Sequence, residues 1–263
     1  ERSAQPRHFL RIVLCLLFYS SVALLYITLL TPISEQLSLL HLLQKPVFYH
    51  LWFFFAIITL YLFSPLIQVK PATARYVIVM VLVVAVLANP NTADQATGRF
   101  QWLPVNLYIS GDSIYYLLYA LLGRALGTMH TERRGISWLA ALLFAGCVAG
   151  ISVGTRKELH VNGAFSDLWY LYCGPLVFIG ALSLFVLFKN GLNRPLPGLA
   201  LISRNSLPIY GFHALFIHFM RTHYLDHKQW PLLDIALVFT ATLGGSLLLA
   251  LALRRLDRRR LVS

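Results

Sequence analysis

LDIALVFTATLGGSLLLALAL, residues 233–253, is followed almost at once by Arg254, Arg255, Arg258, Arg259 and Arg260. As a helix rising 1.5 Å per residue, this run would reach roughly 31 Å, about the thickness of a bilayer's hydrocarbon core. It carries Asp234 at one end and a block of cations at the other. Seven further apolar stretches, roughly 9–31, 51–69, 76–89, 113–128, 137–153, 168–188 and 206–220, are long or nearly long enough to cross as well. Sorted by the alternating sides of these segments, sixteen of the 22 Lys and Arg residues fall on the side that holds the 254–260 block. Lys45, Arg99, Arg156, Lys157, Arg221 and Lys228 fall on the other, together with most of the acidic residues. The positive-inside rule makes the first side cytoplasmic and places both ends of the chain inside.

Composition agrees. Hydrophobic residues make up 58% of the chain and charged residues 12%, about half the usual charged share of a soluble domain. The expected fold is all-α: a polytopic membrane helical bundle, one domain over residues 1–263, with about eight transmembrane helices. Continuous apolar runs exclude a barrel of alternating strands. The net charge of +12 would suggest nucleic acid for a soluble protein. Here it follows from cytoplasmic loops facing an anionic leaflet, so membrane lipid is the expected partner and nucleic acid is not. Cys15, Cys147 and Cys173 sit inside apolar segments without a C-x-x-C pair, which argues for buried free thiols and against a metal site. The chain opens without Met on a polar, basic strip, as an internal loop would. An even number of helices is therefore expected upstream.

Polar residues inside the apolar segments are the candidates for chemistry. Ser206, Tyr210 and His213 lie at i, i+4 and i+7 on one face of 206–220, with His213 near mid-membrane. An ionisable group at that depth is costly and marks either a functional site or an interhelical contact. His218, His223 and His227 follow at spacings that do not share a face, which reads as interfacial histidine and not as a zinc pattern. Tyr61, Ser64, Pro65 and Gln68 form a polar stripe on 51–69. Arg124 and Arg204 abut the inner ends of helices, where guanidinium groups suit a phosphorylated cofactor. His50 and Trp52, with Asp112, Asp167, Trp169 and Tyr172, stand near outer helix ends, where carboxylates and aromatic faces suit a sugar or form an aromatic belt.

Three strings then matter more than composition. His50-Leu51-Trp52-Phe53 with Tyr61-Leu62 and Ser64-Pro65-Leu66 resembles a helix of the acyltransferase-3 family of membrane O-acyltransferases. Tyr115-Tyr116 through Tyr119 to Gly123-Arg124 resembles the next landmark. Ser206-Leu207-Pro208-Ile209-Tyr210-Gly211-Phe212-His213 resembles the family's Ser-x-x-x-Tyr-x-x-His segment. The resemblance implies ten helices, acetyl-CoA as a cytoplasmic acyl donor, no metal, and an envelope polysaccharide or lipid-linked glycan as acceptor, at the bacterial inner membrane. It also implies an Arg-x10-His motif on a first helix, with that His at the catalytic centre. Arg11 has no His ten or eleven places on, so the family's two N-terminal helices are expected upstream of Glu1. Within the chain, Tyr210 and His213 are the expected catalytic-wall or relay groups. Arg124 and Arg204 are expected near the CoA phosphates, and His50 and Trp52 near the acceptor. The alternatives are a glycan transporter or flippase, whose path the same polar faces would line, and an inactive truncated remnant. Dependence on CoA separates the enzyme from the transporter.

Overall fold

The computed structural model describes residues 5–30, 46–67, 70–92, 104–107, 111–192, 194, 196–225, 227 and 229–262. Among them every regular element is helical: α1 (Gln5–Leu30), α2 (Trp52–Phe63), α3 (Ala74–Leu82), α4 (Asp112–Thr128), α5 (Arg134–Asn162), α6 (Pro175–Gly191), α7 (Pro197–Arg204), α8 (Ser206–Thr222) and α9 (Pro231–Leu256). Five stretches are long and apolar enough to cross a membrane: Phe9–Leu29, Tyr49–Leu66, Arg134–Asn162, Leu168–Gly191 and Pro231–Leu256. The apolar segments at 76–89, 113–128 and 206–220 form shorter helices. The chain divides into two units, residues 1–63 with 195–263, and residues 64–194.

In the first unit α1, α2, α8 and α9 pack around Cys15, Leu16, Tyr19, Leu51, Phe54 and Phe212. α9 is inside out by the standard of a soluble helix. It buries Asp234, Val238, Thr242, Ser246 and Ala250, each four residues from the last, and exposes Leu232, Ile235, Phe239 and Leu248. Lipid has no preference for leucine on the inside, so small and polar side chains take the helix contact and large apolar ones face outward. α5 shows the same habit, with Trp138 71% and Leu142 69% exposed.

Asp234 ties α9 to α8. Its carboxylate accepts from Arg221 at 2.9 Å and from the His227 amide at 3.0 Å. Acidic charge in the first turn of α9 also meets the positive end of that helix.

The second unit builds its core from Val77, Val84, Tyr115, Leu122, Phe178 and Leu182. α3 continues as a wider π-turn, Val83–Leu87, closed by the Ala88 amide on the Val83 carbonyl at 2.7 Å. Asn89 follows, fully buried, and donates to the carbonyls of Ala85 at 3.2 Å and Cys173 at 2.6 Å. Lys189, read from sequence as a positive-inside charge, ends the apolar helix α4: its ammonium donates to the Leu126 carbonyl at 2.7 Å and to the Met129 carbonyl. These are carbonyls at the end of a helix, which need such donors.

Four expectations change. Gly174-Pro175, which on sequence reads as a kink inside the apolar run 168–188, is not one. Pro175 opens α6, because its missing N–H is harmless in a first helical turn. Residues 154–162 are not outer loop but the last turns of α5, which ends at Gly163 in the left-handed conformation with φ 65°. Residues 197–204, expected as loop, form α7. The stripe of Tyr61, Ser64, Pro65 and Gln68 is broken, since α2 ends at Phe63 and Ser64–Leu66 is a tighter 3₁₀ turn. Gln68 and most of the expected outer loops 32–50 and 90–112 lie outside the described residues.

Candidate active site

Of the residues singled out, His50, Tyr210 and His213 come together in the first unit. His50 sits in the 3₁₀ turn Tyr49–Leu51 that leads into α2. Tyr210 and His213 lie one turn apart on α8. Pro208 occupies the first turn of α8, where its lost donor has no partner to miss.

Three hydrogen bonds fix the cluster. The Tyr210 hydroxyl donates to the main-chain carbonyl of His50. His50 Nε2 faces the Gly211 carbonyl at 3.2 Å, and His213 Nδ1 faces the Tyr210 carbonyl at 2.6 Å. A carbonyl oxygen only accepts, so both ring nitrogens carry a hydrogen. In the neutral imidazoles the lone pairs are then on His50 Nδ1 and His213 Nε2. His50 is 4% exposed, and its Nδ1 is buried with no hydrogen-bond partner. A buried acceptor without a donor is costly, and a substrate hydroxyl would satisfy it.

The His50 and His213 ring centroids are 5.2 Å apart at 80°. Tyr210 lies edge-on to Phe53 and Phe54, at 5.4 and 5.7 Å. Gly211 is what lets the turn of α8 beneath them close up, since a Cβ there would run into the Tyr19 ring. Trp52 takes the position after the His50 turn, at the start of α2, edge-on to Phe53 at 5.9 Å.

His218, read from sequence as interfacial, has partners of its own. Its Nδ1 lies 3.1 Å from the Tyr26 hydroxyl and 3.4 Å from Thr222 Oγ1, and its ring meets Phe48 edge-on at 5.7 Å. Nothing in the spacing of the histidines indicated this, because Tyr26 is 192 residues away.

Arg204 lines a second feature of the same unit. With Arg11, Arg254 and Arg260 it surrounds a cavity of about 490 Å³. Arg204 comes from the end of α7, Arg11 from the second turn of α1, and Arg254 from the last turn of α9. Arg260 follows α9 and was read only as part of a basic tail. Arg124 belongs to the second unit, exposed on α4. Among the described residues no three His, Cys, Asp or Glu side chains gather as a metal-ligand group.

The comparison with known families is decisive here. The family described as "Acyltransferase domain", acyltransferase-3, matches residues 3–251. The chain belongs to this family. It is a membrane acyltransferase, and its apolar helices agree with that. Comparison with curated proteins and with solved structures returns no match.

Proposed function

We propose that the protein transfers an acetyl group from acetyl-CoA to a sugar hydroxyl of an envelope polysaccharide or lipid-linked glycan. The string Leu43-Gln44-Lys45-Pro46-Val47-Phe48-Tyr49-His50 resembles the enterobacterial inner-membrane enzyme that O-acetylates the common antigen, which favours that glycan as acceptor. The protein acts from a bacterial inner membrane, crossing about eight times, with both ends of the chain cytoplasmic. In the reaction the hydroxyl oxygen bonds to the thioester carbonyl carbon, the carbon–sulfur bond breaks, and CoA leaves as its thiol after accepting the proton.

The observation that carries this reading within the acyltransferase family is the arginine cavity. Four guanidinium groups around about 490 Å³ make a strongly cationic pocket, which attracts an anion. Arginine forks match phosphate oxygens in pairs, and acetyl-CoA carries three phosphoryl groups in its nucleotide part. Arg11, Arg204 and Arg254 would hold those groups. His50 Nδ1 and His213 Nε2 are the nitrogens that can accept or relay the hydroxyl proton, a role suited to imidazole. Tyr210 holds the His50 turn in place, and Trp52 stands beside it on the acceptor side.

The test is the O-acetyl content of envelope glycan in a deletion strain, complemented with the wild-type gene or with an Arg204→Gln/Arg254→Gln variant at matched membrane levels. Loss on deletion, rescue by wild type and poor rescue by the variant are expected. Unchanged O-acetylation on deletion would overturn the reading in favour of transport.

A further inference from the structure

The segment that follows α9 does not trail away from the first unit. The Asp257 amide closes α9 on the Leu253 carbonyl at 2.7 Å, and the chain then reverses. The Arg260 amide donates to the Asp257 carbonyl at 3.0 Å, and the Val262 amide to Asp257 Oδ2 at 2.8 Å. The far side is tied to α1. The Tyr19 hydroxyl donates to the Val262 carbonyl at 2.8 Å, and the Cys15 thiol lies 3.7 Å from the Leu261 carbonyl. Val262 packs on the core cluster that contains Cys15, Leu16 and Tyr19.

Arg260 sits within this loop at φ 50°, a left-handed conformation that a non-glycine residue keeps only where its surroundings fix it. Glycine or asparagine would hold that backbone with less strain. The residue there is nevertheless an arginine, and it lines the cavity with Arg11, Arg204 and Arg254.

We infer that residues 257–262 are a strap that closes the arginine cavity and supplies Arg260 as a phosphate-binding group, with Tyr19 as the positioning residue that holds the strap shut. This rests on the reading of the cavity as the donor's phosphate site. Arg11, Arg204 and Arg254 stand on helices. Arg260 stands on a loop whose place depends on the 2.8 Å bond from Tyr19, so ligand and strap order one another.

The experiment measures CoA binding to the chain in phosphatidylcholine nanodiscs, which carry no anionic headgroup, over a range of salt. Arg204→Gln reports on the cavity itself. Arg260→Asn removes the guanidinium while tolerating the backbone, and Tyr19→Phe removes the tether. Each arginine variant is expected to weaken CoA binding about tenfold. Tyr19→Phe is expected to weaken it severalfold, and the Tyr19→Phe/Arg260→Asn double variant to be no weaker than Arg260→Asn alone. Arg260→Lys should recover part of the affinity. The salt dependence of binding should become shallower in Arg260→Asn and in Tyr19→Phe, which a purely structural loss would not cause. If Arg204→Gln loses affinity while Arg260→Asn and Tyr19→Phe keep it, the strap is wrong and the donor site stands. If the wild-type discs bind no CoA, the donor reading falls and the strap with it.

Discussion

His50 and His213 each give one ring N–H to a main-chain carbonyl of α8, those of Gly211 and Tyr210, and their rings meet 5.2 Å apart. Two consecutive carbonyls of one helical turn therefore set which nitrogen of each imidazole is basic. The turn is set in its own place by the absence of a side chain at Gly211, where Tyr19 fills the space.

Replacing His213 by Ala removes a lone pair from this cluster and no hydrogen bond between helices. Acyl transfer should fall by about a hundredfold if the nitrogen handles the proton, with thermal stability little changed. His50→Ala should lose as much activity and also stability, because the imidazole bridges to Gly211 from a buried position. Activity assays paired with unfolding curves in detergent separate the two. Intact acyl transfer in His213→Ala would remove it from the mechanism.

Gly211→Ala should be among the most damaging single-methyl changes in the first unit. The added carbon would overlap the buried Tyr19 ring, and overpacking of this kind costs about 1–3 kcal/mol. The same shift would carry the Gly211 carbonyl away from His50, so activity should drop further than stability alone accounts for. An unfolding midpoint equal to wild type would contradict the close contact.

Much of this fold was legible, because the bilayer imposes one rule on every segment: apolar length. Each of the eight runs contains a helix where described, though in 168–188 it begins only at Pro175, and the i, i+4, i+7 spacing of Ser206, Tyr210 and His213 picked out the helix that carries the cluster. What the rule does not encode is where a helix stops beyond the lipid. Arg156, Lys157 and Glu158 read as loop, yet α5 runs on through them to Asn162, since a helix may project into water once its apolar part has crossed. Pairings across 160 residues, such as Tyr210 with His50, have no local signature. The strap was missed for a related reason. Five arginines between 254 and 260 hid the apolar pair Leu261-Val262 that docks against α1.

Asp234→Ala should destabilise the first unit by about 2–4 kcal/mol. It removes the acceptor for Arg221 at 2.9 Å and for the His227 amide at 3.0 Å together. Asp234→Asn keeps an oxygen for the amide and should lose less. Both are read from thermal unfolding in detergent. Equal midpoints for Ala and wild type would make this pair an ornament of the surface, which the burial of Asp234 argues against.

The length of α5 sharpens the topology into something that labelling can decide. Its 29 residues reach about 43 Å at 1.5 Å per residue, against a core of about 30 Å. One end carries Arg133 and Arg134, the other Arg156, Lys157 and Glu158. With the arginine-rich end inside, a single cysteine at Glu158 should react with a membrane-impermeant maleimide added to spheroplasts. One at Arg133 should react only after the membrane is opened. The background is low because Cys15, Cys147 and Cys173 are all buried. The reverse result would overturn the orientation that the positive-inside rule gives this helix.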